Sequence, residues 1–230
     1  MTGRVWSPRW PSVRGAPRWP CFVAESPFVK VALVDLVAGT SKVVELTRTA
    51  PIAYTPTSLV ATGDESGFTI LWQEQELTVA GSVHSTMARL KTDGTVIKKP
   101  TNVAVDWALG AIVTNGKGYT LAVRYDGASP DQTRISFVTL DANGKPEQHP
   151  WWGSRAALIG EIQMLDIGGV VTAAYRAGAE GKESILAVEA NSTTGQWGKD
   201  PAESKVLAAK DGASPFTVRA KSGAIELVRK

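Results

Sequence analysis

The sequence predicts an all-β chain of about five four-stranded antiparallel units, a β-propeller-like architecture, and three observations carry that reading. Two sets of glycines recur with one period, the runs between them have strand spacing, and turn-forming residues separate those runs while helical periodicity is nearly absent. Gly67, Gly118 and Gly169 each precede a strand-like run and stand 51 residues apart. In that frame Phe68, Tyr119 and Val170 coincide, as do Ile70, Leu121 and Thr172, and Trp72, Val123 and Ala174. An independent set, Gly39, Gly94, Gly144 and Gly195, follows intervals of 55, 50 and 51 residues. Two markers keeping one period are much harder to obtain by chance than one.

The best-formed unit is expected to hold strands at 110–114, 118–125, 133–140 and 145–149, separated by the turn sequences NGKG, DGASPD and DANG. In DANG, and in KTDG one unit earlier, Asp hydrogen-bonds nearby backbone and Gly supplies the positive φ of a type I turn with a G1 bulge. Residues 156–165, AALIGEIQML, form the one stretch arguable as a helix, and their phase fits a first strand better. Units of four strands and 40 to 50 residues are propeller blades. The second strands, FTILW, YTLAV and VVTAA, are apolar on both faces, as strands buried between neighbouring blades should be. A β-sandwich, the alternative, would alternate more cleanly.

The two ends read as incomplete blades. CFVAE, VKVALVDL and KVVELT look like strands two to four of a first unit without its first strand. SKVLAAK, SPFTVRAK and AIELVRK look like strands one to three of a last unit. Residues 20–230 are therefore expected to form the repeat domain, either a closed ring or a piece of a larger propeller. Residues 1–19, aperiodic and rich in Arg, Trp and Pro, are expected to be a disordered extension or sequence upstream of the true start.

Charge excludes one class of partner. The formal charge is +3, but residues 1–20 hold four arginines and no acid, which leaves 25 − 4 = 21 basic side chains against 22 acidic ones. A nucleic-acid binder needs cations clustered on a folded face, so no nucleic-acid partner is expected. No apolar run reaches the roughly 20 residues of a membrane helix, and residues 1–20 lack the apolar core of a signal peptide. The single cysteine, Cys21, precludes an intramolecular disulfide.

The order G-[FY]-x-[IL]-x-[WV], followed by A-R-L-x-x-D-G-T-V, is clearest at 66–100 and resembles the degenerate blade repeat of secreted or envelope bacterial β-propeller proteins. Trp72 is followed by Gln73 and Glu74 where that pattern has an aspartate, and Val123 and Ala174 replace Trp in the other units. The resemblance covers about residues 20 to 230. It implies a blade hairpin and an extracytoplasmic setting, and no activity.

Chemistry is sparse. His84 and His149 are the only histidines, and neither has a second His or Cys at ligand spacing, so no metal and no cofactor are expected. Glu74, Glu76, Asp126 and Asp131, after the second strands, are the carboxylates that would serve glycoside hydrolysis, which needs two acids converging within roughly 5–10 Å. KTDGTVI and LDANGKP do not match the Asp box of sialidase-type blades. The binding candidates are Trp107, Trp151 and Trp152 in the connections into first strands, with Arg124, Arg155, Asp126 and Asp131. Indoles beside arginines and acids suit sugars or peptides. The expected function is a non-catalytic scaffold for a glycan, peptide or protein ligand. A propeller glycoside hydrolase is the alternative, and a fragment without autonomous function the third reading.

Overall fold

The computed structural model describes residues 4–6, 18–25, 28–35, 38–50, 54–76, 82–125, 133–147, 151–152, 158–178, 183–190, 205–209 and 216–228. Among them every regular element is a β-strand, and every strand pair is antiparallel. The chain divides into two compact units, Met1–Asp106 and Trp107–Lys230.

The first unit holds two four-stranded sheets. The first is β1 (Arg4–Trp6), β2 (Arg18–Glu25), β3 (Phe28–Asp35) and β4 (Thr40–Thr47), and the second is β5 (Tyr54–Asp64), β6 (Gly67–Glu76), β7 (Val83–Leu90) and β8 (Val96–Val103), each sheet in chain order. The sequence pattern left the first sheet without its first strand. The structure supplies one, because Arg4–Trp6 pairs with Phe22–Ala24. Arg18 and Trp19, also ahead of the expected domain start, pair with Asp35 and Val34.

The core of this unit lies between its two sheets. Val29, Val31 and Leu33 of β3 and Leu46 of β4 pack with Phe68, Ile70 and Trp72 of β6 and Ala88 and Leu90 of β7. Each such aliphatic or aromatic burial contributes about 1.5–3 kcal/mol. As expected of a second strand, β6 is buried from Gly67 to Glu74 without alternation. The β7–β8 hairpin lies against the first sheet: Lys42 Nζ donates to Asp93 O at 2.8 Å. A Cβ on Gly94 would come within 2.9 Å of Val44 Cγ2.

The second unit holds the sheet β9 (Ala108–Thr114), β10 (Gly118–Tyr125), β11 (Arg134–Asp141) and β12 (Trp151–Trp152). Next come β13 (Leu158–Ile167), β14 (Val170–Ala177), β15 (Ser184–Glu189) and β16 (Lys205–Ala209), then the two-stranded pair β17 (Thr217–Lys221) and β18 (Ala224–Val228). The middle sheet is packed on both faces. Val171, Ala173, Tyr175 and Ala177 join Ala122, Ile135 and Phe137 of the preceding sheet. Ala174 joins Phe216, Val218 and Ile225 of the following one. That is blade-on-blade packing, and it explains why VVTAA is apolar on both sides.

Two assignments are corrected, and one is borne out. Residues 145–147, the described part of the expected strand 145–149, are not a strand; Pro146 makes a lone bridge to Leu140, and the strand on that edge of the sheet is Trp151–Trp152 against Phe137 and Ser136. A proline cannot donate to a ladder, so pairing lapses there. Lys205–Ala209, expected to open the last unit, instead closes the fourth sheet, β13 to β16, by pairing with Ser184–Ala187. Residues 158–167 form a first strand, as their phase suggested.

Gly67 and Gly118 open the second strands β6 and β10, and Gly169 immediately precedes β14. A Cβ would meet the Leu90 carbonyl oxygen at 2.0 Å from Gly67 and the Leu140 carbonyl oxygen at 2.2 Å from Gly118. Gly169 has open space around it and is required instead by its φ of +89°. Val170, in phase with the buried Phe68 and Tyr119, is 45% exposed. The hairpins at Gly94 and Gly144 take the expected form: each glycine N donates to the carbonyl three residues back, and Asp93 and Asp141 accept from Thr95 N and Asn143 N. Gly195 falls outside the described residues.

Candidate functional site

The inward face of β6 runs Phe68, Ile70, Trp72, Glu74, Glu76, so one strand carries the apolar core of the first unit and then two carboxylates. The sequence placed both acids in a loop after this strand. They belong to it, because β6 pairs with β5 as far as Tyr54↔Glu76, and Glu76 N donates to Ser82 O at 3.0 Å. Where the core ends, the neighbouring strands become polar as well. Glu74 stands opposite His84 and Trp72 opposite Thr86 on β7.

Glu74 is fully buried, with its Oε1 in an ion pair to Arg48 Nε from the connection between the two sheets; the Arg48 side chain is only 4% exposed. Arg48 Nη2 also donates to Tyr54 O at 2.7 Å. The next residue, Thr49, places its hydroxyl 2.8 Å from His84 Nε2 and against the Thr86 hydroxyl. The Tyr54 and His84 rings meet edge to face with centroids 5.9 Å apart. Arg48 is thus clamped between a carboxylate and a backbone carbonyl, and the clamp sets Thr49, Tyr54 and His84 side by side. Thr49 is exposed, and Tyr54, His84 and Glu76 are half-buried.

This cluster is strained electrostatically. Burial pushes the Glu74 carboxyl above its ordinary range, and the charge and hydrogen bonding of Arg48 oppose that only in part. Trp72 Nε1 also helps to hold the carboxylate ionised, although its geometry falls short of a formed hydrogen bond. Neither Glu74 oxygen has a hydrogen bond of good geometry. His84 is pushed below its ordinary range by burial and then by the Arg48 charge, so its imidazole is held neutral at physiological pH.

The candidates in the second unit are less concentrated. Arg124 is exposed on β10, opposite Ala108 and Ile135, and Trp107 is half-buried just ahead of β9. Trp151 and Trp152 form β12, not a connection into a first strand. The order β12-β11-β10-β9 puts them on the opposite edge of the sheet from Trp107, three strand spacings or about 14 Å away. Trp107 and Arg124 are therefore brought near each other, and the tryptophan pair is not brought to them. Asp126, Asp131, Arg155 and His149 lie outside the described residues. No group of three or more His, Cys, Asp or Glu among the described residues could hold a metal ion, and no helix among them is long and apolar enough to cross a membrane.

Sequence reasoning missed Arg48, Thr49, Tyr54 and Thr86, and considered His84 only as a metal ligand. The available signal was the face of β6 itself, where apolar residues give way to Glu at the same strand period.

No protein-family model matches the sequence, and no curated protein matches it. Solved structures do match in fold. A xylan beta-1,4-xylosidase from Bacillus halodurans aligns with a TM-score of 0.53 at 12% identity, over 89% of this chain and 42% of that one. A Bacteroides ovatus protein described as xyloglucan PUL GH43B aligns with a TM-score of 0.51 at 12% identity, over 87% of this chain and 43% of that one. This chain thus spans less than half the length of either. At such identity the likeness concerns fold alone, and together with the all-β sheets described above it makes the chain propeller-like.

Proposed function

We propose that the chain is a β-propeller-type scaffold that binds a glycan non-catalytically, with a ligand-facing patch formed by Thr49, Tyr54, His84 and Glu76 in the first unit. The observation that carries this is the buried Arg48–Glu74 pair, whose bonds fix the backbone of Tyr54 and the segment bearing Thr49. A desolvated ion pair contributes little to stability against an apolar replacement, so its placement under a half-exposed aromatic and hydroxyl patch argues for positioning. Ring edges and hydroxyls suit the C–H faces and O–H groups of a sugar. The names of the two fold neighbours, which concern xylan and xyloglucan, point to the same ligand class. In the second unit, taken by itself, Trp107 and Arg124 are proposed as a separate set of ligand contacts, with Trp151, Trp152, Arg155, Asp126 and Asp131 as the wider set. The repeat of 51 residues and the extracytoplasmic setting belong to the same proposal.

The test is calorimetric titration of the intact chain with a panel of plant cell-wall oligosaccharides. Binding that falls at least roughly tenfold, about 1.4 kcal/mol, in Tyr54→Ala, with an unchanged circular-dichroism spectrum, supports the patch. Binding untouched by that change refutes it.

A second reading, a glycoside hydrolase, is favoured by the raised pKa of Glu74, since a general acid needs a carboxyl held protonated. Glu76, two residues on along the same face, would be its nearest described partner. Against it stands Arg48, which holds Glu74 in an ion pair. Release of reducing sugar from the same panel, lost in Glu74→Gln, would establish hydrolysis in place of binding.

A further inference from the structure

We infer that ligand binding at the Thr49–Tyr54 patch is switched off by acid, with His84 and Glu74 as paired proton sensors beneath it; this rests on the glycan-binding reading above and adds its regulation. The geometry ties each ligand-facing group to one of the two. Thr49 Oγ1 lies 2.8 Å from His84 Nε2, and the Tyr54 ring meets the His84 ring edge to face. The Tyr54 carbonyl accepts from Arg48 Nη2 at 2.7 Å, and Arg48 Nε is paired with Glu74. Glu74 and His84 stand directly opposite each other on β6 and β7, so both side chains leave the ladder on one face. Arg48 therefore feels both.

Each added proton works against that arrangement. A neutral His84 Nε2 can accept the Thr49 hydroxyl proton, whereas in the imidazolium both ring nitrogens only donate. The Arg48 charge disfavours the imidazolium, and by reciprocity an imidazolium disfavours Arg48 where it sits. A protonated Glu74 is easier to bury but no longer offers Arg48 a counter-charge. Either event loosens the guanidinium that holds the Tyr54 backbone and the segment bearing Thr49. Burial and the Arg48 charge hold His84 below 6.5, and burial holds Glu74 above 4.5, so the two titrations are drawn toward each other. Tyr54, Glu76 and Asp106 are further ionisable groups described at this end of the unit, on β5, on β6 and beyond β8. The acids among them would favour an imidazolium, yet burial and Arg48 prevail at His84. Lys30 and Glu45 lie on the face of the first sheet turned away from the core that Val29 and Leu46 enter. Residues 51–53, Pro-Ile-Ala, and 77–81, Leu-Thr-Val-Ala-Gly, contain no ionisable side chain.

The experiment titrates the intact chain with xylotriose, an uncharged probe, at intervals from neutral pH to 4.5. Wild-type affinity should be highest at neutral pH and fall roughly tenfold or more across that range. His84→Gln, checked for folding by circular dichroism, keeps a group able to bond Thr49 but takes up no proton. The fall should shrink in that variant, whatever its affinity at neutral pH. Should it bind too weakly to follow, the His84 ring-proton NMR signals of the wild type decide. Saturating xylotriose should move their titration to lower pH, since ligand and proton exclude each other. A wild-type affinity that stays level across the range overturns the inference and leaves glycan binding intact. A fall that persists in full in His84→Gln, or a His84 titration that xylotriose does not move, also overturns it, because the proton then acts elsewhere. Absence of binding at neutral pH overturns the glycan reading and this inference with it.

Discussion

The second sheet of the first unit carries a carboxylate–arginine pair at each end, and the two are built differently. At the β5–β6 hairpin, Arg89 reaches both oxygens of Asp64 at 2.9 and 2.8 Å and also bonds Thr69 Oγ1. Asp64 Oδ1 further accepts from Ser66 N at 2.8 Å and Ser66 Oγ at 2.6 Å. Both side chains keep solvent contact, with 20% of Arg89 and 37% of Asp64 exposed. At the other end Arg48 and Glu74 are essentially dry, and the carboxylate lacks a single well-formed hydrogen bond. Even adjacent Gln73, equally buried, is satisfied by Ser58, Ser85 and the Val105 carbonyl. The Asp64–Arg89 pair therefore closes a turn and needs no other explanation. The Arg48–Glu74 pair is costly where it stands, which is why the functional reading is placed there.

The largest expected effect sharpens this contrast. Removing one partner of the dry pair, in Arg48→Ala or Glu74→Ala, leaves a buried charge and should cost about 3–5 kcal/mol in denaturant unfolding. Replacing both, Arg48→Met with Glu74→Leu, should bring stability back to within about 1 kcal/mol of the wild type or above it. The double variant should nevertheless bind oligosaccharide more weakly, because nothing then fixes Tyr54 and Thr49. A double variant as unstable as the single ones would mean that the pair is structural, and the contrast with Asp64–Arg89 would collapse.

The wet pair should give less. Asp64→Asn keeps the turn geometry and part of the hydrogen bonding, so about 1 kcal/mol is expected, with no change in ligand binding. A loss as large as that of Glu74→Ala would show that exposure had been misjudged as a guide to which pair matters.

The difference also explains what could be read from the sequence. The strands of both units were legible because Gly67, Gly118, Gly94 and Gly144 mark places where only glycine fits, by close approach or by φ. Trp151–Trp152 and Arg4–Trp6 were not, since strands of two and three residues have no period to detect. Glu74 and Glu76 stood out as acids following Trp72. Their partners did not: Arg48 is 26 residues upstream, and His84 comes opposite Glu74 only through the β6–β7 register. Pairing of that kind is tertiary, and no local pattern of residue types encodes it. Turn-forming Asp64 and Arg89, also distant in sequence, were missed for the same reason.

The smallest expected effect is a pH dependence of opposite sign at the two ends. Partial burial raises the Asp64 carboxyl, but the Ser66 and Arg89 bonds outweigh it and hold the pKa below its ordinary 3.8. Its stabilisation is present above that value and is lost as pH falls through the lower, folded-state pKa. Glu74 is raised above its ordinary 4.5, chiefly by burial. The folded chain then binds that proton more tightly than the unfolded one, so stability falls as pH rises from 4.5 through the folded-state pKa. Acidifying from neutral pH toward 4.5 should therefore raise the melting temperature slightly through Glu74, while Asp64 still contributes in full. In Glu74→Gln that rise should vanish, and in Asp64→Asn it should persist. Melting curves of the three proteins between neutrality and pH 4.5 decide it. A wild-type melting temperature that falls steadily on acidification, with Glu74→Gln behaving alike, would show that Glu74 is solvated and ordinary, and the two ends of the sheet would no longer differ.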